Sequence, residues 1–280
     1  MVQQPPLLLQ IRRFAASRQM TLPVFNDAAT RLQEASRTGS YDIKAIERLI
    51  DSDPALTAEI LRAANSAFFG GLSEIRSIQA AIVRLGFKQV THLALLATQK
   101  NRYAASQPRL SGMMKGLWQH AATCALASEW IASRLRLAKV AEESFIGGLL
   151  HDVGKLFILQ VLDRMASENP IAAACPLSLV TEVLRTAHAD EGHRLLQSWN
   201  LPSVYLTIVR DHHAEQIEPS NVPLLIVRLA NRACHKVGIG LTHDSSVVLS
   251  ATPEAVALGL SEVALAELEI ILEDVQSLAA

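Results

Sequence analysis

Gly147-Gly148-Leu149-Leu150-His151-Asp152-Val153-Gly154-Lys155 is the stretch on which the reading of this chain turns. It sets an imidazole and a carboxylate side by side behind an apolar run. Both groups can bind one divalent cation if the backbone turns sharply there, and Gly154 permits such a turn. Gly147 and Gly148 carry no side chain and let another helix approach closely. Lys155 offers a positive charge to a phosphate or to a developing negative charge. A His-Asp pair alone is a weak signal. Its company strengthens it, because seven of the nine histidines lie between His120 and His235.

Outward from this stretch the signals are helical. Asp53-Pro54 reads as an N-cap with proline at the first helical position, followed by Leu56, Ile60, Ala63 and Ala67 at helical spacing. Ser77 is placed to cap the next helix, which Gly86 ends. A long segment from about Gly112 to Leu135 sets Trp118, Ala122, Leu126, Trp130 and Ile131 on one side. Thr252-Pro253 starts a short helix that Gly259 stops, and Leu268, Ile271, Val275 and Leu278 form a narrow apolar stripe near the end. No alternating strand pattern or tight hairpin signal stands out. The predicted fold class is all-α.

Composition narrows the function. Half of the 280 residues are apolar and 19% are charged, which excludes a disordered chain. Lys+Arg 26 against Asp+Glu 27 leaves a net charge of −1, so the basic surface of a nucleic-acid binder is not expected. The three cysteines, Cys124, Cys175 and Cys234, are widely spaced and fit a reducing compartment. No apolar run approaches the ~18 residues of a membrane span. The expected location is cytoplasmic. The softest junction, Lys100 to Gly112, divides an N-terminal lobe from a second one.

The remaining histidines each have a bland alternative. His120 and His188, taken singly, suit a helix core or surface. His212-His213 suit a helix C-terminus, where cationic side chains face the helix dipole. His92, His193, His235 and His243 are read as structural.

His151-Asp152-Val153-Gly154-Lys155 resembles the signature of the HD superfamily of metal-dependent phosphohydrolases. More specifically, the chain resembles the HDOD family, the HD-related output domain of bacterial signalling proteins. Leu22-Pro23, Ile50-Asp51-Ser52-Asp53-Pro54-Ala55-Leu56-Thr57 and Ala64-Asn65-Ser66-Ala67-Phe68-Phe69-Gly70 carry this resemblance. So do Ser77-Ile78, Ala80-Ala81-Ile82, Leu85-Gly86, His188 with Glu191-Gly192, Leu195-Leu196, Trp199, Leu201-Pro202 and His212-His213. The resemblance covers about residues 20 to 240. It implies an N-terminal helical lobe (residues 1–108) packed on an HD-like bundle (109–240), with 241–280 as a C-terminal helical extension.

The superfamily's metal pattern falls on His120, His151, Asp152, His188, His212 and His213. Two departures stand out. Ala214-Glu215-Gln216-Ile217 replaces the loop that follows the histidine pair in HD-GYP phosphodiesterases. Asn231 stands where the hydrolases place a final metal-binding aspartate. With Asp152 as the single sure anionic ligand, one ion at most is expected. Imidazole-rich ligation suits a divalent transition metal, whether iron, nickel, zinc or manganese.

Two readings stay open. One is a regulatory module with a metal or ligand pocket and weak or no hydrolysis. The other is a working metal-dependent phosphohydrolase acting on a nucleotide or cyclic dinucleotide, with Asp152 and Lys155 as its catalytic groups. The expected partner is a signalling protein or a small phosphorylated ligand, with a homodimer as a further option. Neither a membrane nor nucleic acid is expected. Phe68 and Phe69 belong to the core of the N-terminal lobe or present apolar area to a partner.

Overall fold

The computed structural model of the chain describes residues 6–20, 22, 43–51, 53–69, 73–169 and 175–279. Pro23, Ser52 and the Gly70-Gly71 turn lie outside the described residues. Every helix or strand assigned among the described residues is helical, so the fold is all-α. They form two compact units, Pro23–Tyr103 and Met1–Leu22 with Ala104–Ala280.

The first unit holds α2 (Ile43–Asp51), α3 (Pro54–Ala64), α4 (Ile78–Leu85) and α5 (Phe87–Lys100). The capping signals in its sequence are realised. Asp53 accepts hydrogen bonds from the amides of Ala55 and Leu56 at 3.0 and 3.1 Å, with Pro54 opening α3. Ser77 accepts from Ala80 N at 3.1 Å, and Gly86 closes α4. Ile50, Ile60, Ile78 and Val90 are fully or almost fully buried in one core. The Asn65 carboxamide donates to Leu61 O and Ile75 O and accepts from Ile75 N, which pins the chain after α3. Phe69 packs against the same core with Phe68 edge-on to it, which favours their core role.

The second unit holds α1 (Pro6–Ser17), α6 (Pro108–Arg134), α7 (Ala138–Leu150), α8 (Val153–Glu168), α9 (Leu177–Ser198), α10 (Ser203–Asp211), α11 (Val222–Lys236), α12 (Pro253–Leu258) and α13 (Glu262–Ala279). Helix α6 begins at Pro108, earlier than the expected Gly112, because proline at the first helical position suits a helix start. Thr252 caps α12 through Ala255 N at 3.2 Å and Gly259 ends it. The unit boundary, Tyr103–Ala104, falls inside the polar stretch read as a junction. The grouping differs from the sequence division at both ends. Helix α1 buries Leu8 and Ile11, and Arg12 Nε donates to Glu191 of α9 at 2.8 Å. Helix α13 buries Leu265, Leu268 and Leu272 in the core shared with α6 and α11, and Val275 is buried too. Leu272 thus takes the inward place expected of Ile271, which is half-buried.

Among the described residues, Ala138–Glu168 is long and apolar enough to cross a membrane, and it is mostly buried inside this unit. It is broken into α7 and α8 at His151-Asp152, and close helix contacts surround the break. A Cβ on Gly148 would lie 2.8 Å from Cys124 O and from the Cα of Ala125 on α6. A Cβ on Gly154 would lie 1.9 Å from the His188 carbonyl oxygen and 2.7 Å from Gly192 N on α9. Gly154→Ala is therefore expected to destabilise the protein by about 3 kcal/mol, because backbone must move on both sides. Gly112→Ala, with open space around its Cβ and an exposed helix position, should instead stabilise it by about 0.5–1 kcal/mol. Urea midpoints for the two variants check this contrast, and equal midpoints would contradict it.

Candidate metal centre

Five chain segments converge on the break between α7 and α8. His120 comes from the middle of α6. His151 ends α7, its amide donating to Gly147 O at 2.9 Å, and Asp152 starts α8. His188 comes from the middle of α9. His212 and His213 follow the last residue of α10. The sharp turn lies at His151-Asp152 itself. Gly154 was expected to make it, but Gly154 is already helical and serves the close approach of α8 to α9.

Asp152 is the centre. Its Oδ2 lies 3.4 Å from His151 Nε2 and 3.6 Å from His120 Nε2. Its Oδ1 lies 3.4 Å from His188 Nε2 and 3.6 Å from His212 Nε2. Lys155 Nζ donates to Oδ2 at 2.7 Å. His120, His151, Asp152, His188 and His212 are all buried, while His213 sits exposed beside them. Two donor groups result, His120-His151-Asp152 and Asp152-His188-His212-His213. Within each, the ligand atoms lie within 4.8 Å of one another.

The imidazoles are oriented by backbone carbonyls. In the first pair, Nδ1 of His120 meets Ile239 O at 3.0 Å and Nδ1 of His151 meets Gly148 O at 2.7 Å. In the second, Nδ1 of His188 meets Leu184 O at 2.7 Å and Nδ1 of His212 meets Val209 O at 2.9 Å. Within each pair the two Nε2 atoms face each other at 3.1 Å. Each row thus contains three short contacts and needs three hydrogens, whereas two neutral imidazoles carry two N–H groups.

The two rows meet this shortfall differently. Burial opposes a charge on His151, but Asp152 and then Cys124 outweigh it and push the pKa up to about 10. A protonated His151 supplies the third hydrogen of its row. Burial, then His151, lowers His120 to about 4. Burial lowers His188 to about 3 and holds His212 well below its ordinary range. Two neutral imidazoles therefore present lone pairs to each other beside Asp152 Oδ1. Burial by itself would raise the Asp152 pKa, but Lys155 and His151 keep the carboxylate ionised. Its Oδ1 has no hydrogen-bond partner among the described residues. Facing acceptors around an unpartnered buried carboxylate oxygen fit a divalent cation, and fixed Nδ1–H donors are the usual support for Nε2 ligation.

Asn231 is buried on α11, and its Oδ1 likewise has no hydrogen-bond partner among the described residues. It stands one turn after Val227, whose side chain packs at Gly147, and one turn before His235, whose ring stacks on His120 at 5.3 Å. His235 was read as structural from sequence. Its spacing of four from Asn231 was the signal that placed it beside the pocket. The loop after α11 also belongs here. Gly240, at φ 114°, brings Ile239 O onto His120, and a Cβ there would lie 2.9 Å from His120 Cβ. His193 stays apart, bonded to Leu206 O at 3.2 Å, and His92 is buried in the Pro23–Tyr103 unit.

The HDOD domain family model matches residues 22–215, and the chain belongs to this family. An uncharacterized protein of Treponema pallidum (strain Nichols) is 27% identical over 216 residues, 75% of this chain. The chain spans about two-fifths of that relative's length, 41%. Among solved structures, an HDOD domain protein of unknown function from Geobacter sulfurreducens has a TM-score of 0.73 at 22% identity, covering 97% of this chain and 96% of that one. A candidate metal-dependent phosphohydrolase from Shewanella amazonensis SB2B has a TM-score of 0.69 at 17% identity, covering 98% of each chain. A candidate signal transduction protein from Marinobacter aquaeolei VT8 has a TM-score of 0.65 at 20% identity, covering 98% of this chain and 64% of that one. These likenesses establish a shared fold.

The depressed imidazoles set a pH dependence for the metal-free protein. His120, His188, His212 and the half-buried His235, which burial and then His120 lower to about 3, take up protons more readily when the chain is unfolded. Their contribution to stability is present above the ordinary value of 6.5 and is lost as pH falls below it. His151 has the opposite sign, with a contribution complete below 6.5 and lost as pH rises towards about 10. The Tm of metal-free protein should thus fall by several degrees from about pH 7 to about pH 5. Differential scanning calorimetry in chelator checks this. A Tm that is flat or rises over that range would show the imidazoles to be charged in the native state.

Proposed function

We propose that this chain is a regulatory HDOD protein whose pocket holds one divalent transition-metal ion and receives a phosphorylated ligand, with little or no hydrolysis. The observation that carries the reading is the His188–His212 row, two facing Nε2 acceptors at 3.1 Å on the unpartnered side of Asp152. With His213 it offers four donors, and neither buried imidazole has a proton to lose before it can bind. The first ion is assigned to this group. The His120–His151 row already holds a proton and is the weaker site.

Charge supports a regulatory rather than hydrolytic role. Asp152 is the single carboxylate in the two donor groups, and Lys155 already balances it. A bound divalent ion leaves the pocket with excess positive charge, which attracts a phosphate and repels a second ion. Asn231 offers a neutral oxygen at the position of the hydrolases' aspartate, so neither a second ion nor an oriented water gains a carboxylate there. A signalling role agrees with the family and with the description of the Marinobacter structure. A phosphorylated ligand or signalling protein would supply its input.

One observation favours hydrolysis. The two donor groups share Asp152, and a bridging carboxylate is what a two-ion site requires. In that case a pair of ions would supply Lewis acidity to a phosphoryl oxygen, while Lys155 holds the Asp152 carboxylate in place.

Metal titration of chelator-stripped protein separates these readings. One ion per chain is expected. Asp152→Asn should abolish binding, and His212→Ala should weaken it about 100-fold, whereas His120→Ala should cost less than about tenfold. Two ions per chain and ready turnover of bis-p-nitrophenyl phosphate would establish the hydrolase instead.

Asn231→Asp adds one negative charge with almost no change in volume. It should raise metal affinity about tenfold. Under matched metal loading it should also increase turnover of the same ester over wild type. An unchanged affinity would place Asn231 outside the ligand shell.

A further inference from the structure

Behind the His212-His213 pair lies an ion network that neither donor group includes. Arg228 of α11 and Glu254 of α12 are both buried, and Arg228 Nε donates to Glu254 Oε1 at 2.7 Å. The same guanidinium reaches forward. Its Nη1 donates to Asp211 O at 3.0 Å and to Ala214 O at 2.7 Å. These two carbonyls bracket His212-His213 in the chain. Arg232, half-exposed, meets the other oxygen of Glu254 at 3.1 Å.

Backbone carbonyls after the last turn of a helix lack intrahelical donors. Here Asp211 O accepts a local hydrogen bond from Ala214 N at 2.9 Å, and the guanidinium adds a long-range donor to it and to Ala214 O. A planar guanidinium can hold several acceptors at once, which a point-charge ammonium cannot. Burying a salt bridge rarely adds net stability over apolar packing, so its presence here calls for another role. The position of the two carbonyls identifies that role.

We infer that Arg228 and Glu254 are positioning residues of the metal site, a strut through which the C-terminal segment holds the His212-His213 turn at the distance its ligands require. The inference rests on the metal reading above. Both residues lie beyond the span 22–215 that the family model matches, so the strut ties the C-terminal helices to the pocket. Any ligand or partner that displaces α12 would loosen one side of the metal site without touching it.

The test uses the full chain with cobalt(II) alone as probe, together with imidazole NMR of the metal-free protein. Glu254→Gln should weaken cobalt binding about 10- to 100-fold. It should shift the His212 and His213 imidazole resonances and leave those of His120 and His151 in place. The double variant Arg228→Met/Glu254→Leu removes both buried charges together. It should keep Tm within a few degrees of wild type and still weaken cobalt binding. If Glu254→Gln does not fold, the double variant carries the test. Cobalt affinity within about twofold of wild type in a folded variant, or a lowered Tm with affinity unchanged, would overturn the inference and leave the pair a purely structural one. If wild type binds no cobalt, the metal reading fails, and the strut then stands or falls on the two imidazole resonances.

Discussion

The pocket is governed by a shortage of hydrogens. Each row of two imidazoles ends at a carbonyl on either side and meets in the middle, so three contacts compete for two N–H groups. His151 relieves one row by holding an extra proton, an arrangement Asp152 sustains. The other row has no such relief, because burial keeps both His188 and His212 neutral. Two lone pairs facing each other in a low-dielectric interior repel, a cost that a cation between or beside them would relieve. The fold holds them there nonetheless, which means that the helices carrying them are fixed by stronger packing elsewhere.

That packing is visible in the glycines. Helices α7 and α8 are one apolar run interrupted for two residues, and those two residues are the candidate ligands His151 and Asp152. On either side of the interruption Gly148 lets α6 close in and Gly154 lets α9 close in. His120 and His188 ride on the two helices admitted in this way. The spacing between the candidate ligands is therefore set by backbone against backbone, which deforms far less than side chains do.

Much of this was legible in the sequence, for identifiable reasons. Caps at Asp53, Ser77 and Thr252 are local chemistry and were read correctly. The all-α class followed from periodicity, and the family from the His-Asp stretch with its flanking motifs. The role of Gly154 was misread because a glycine permits both a turn and a close contact, and sequence does not say which. Helices α1 and α13 are amphipathic segments that could have packed on either unit. Their assignment depends on long-range contacts such as Arg12 with Glu191, which no local pattern encodes. Arg228 and Glu254 escaped notice, and His235 was read as structural, because their partners lie far away in sequence: His120 for His235, Asp211 and one another for the pair.

The contact of α1 with α9 has a consequence for synthesis. Arg12 and Glu191 are 179 residues apart, so at roughly 5–20 residues per second the partner surface of α1 emerges about 10 to 40 s after α1 itself. During that interval the Pro23–Tyr103 unit, which has a core of its own, can fold between them. Leu8 and Ile11 meanwhile remain unsheltered on a short helix of marginal intrinsic stability. The nascent chain thus carries this apolar segment without its native packing until α9 has been made and the second unit closes over it.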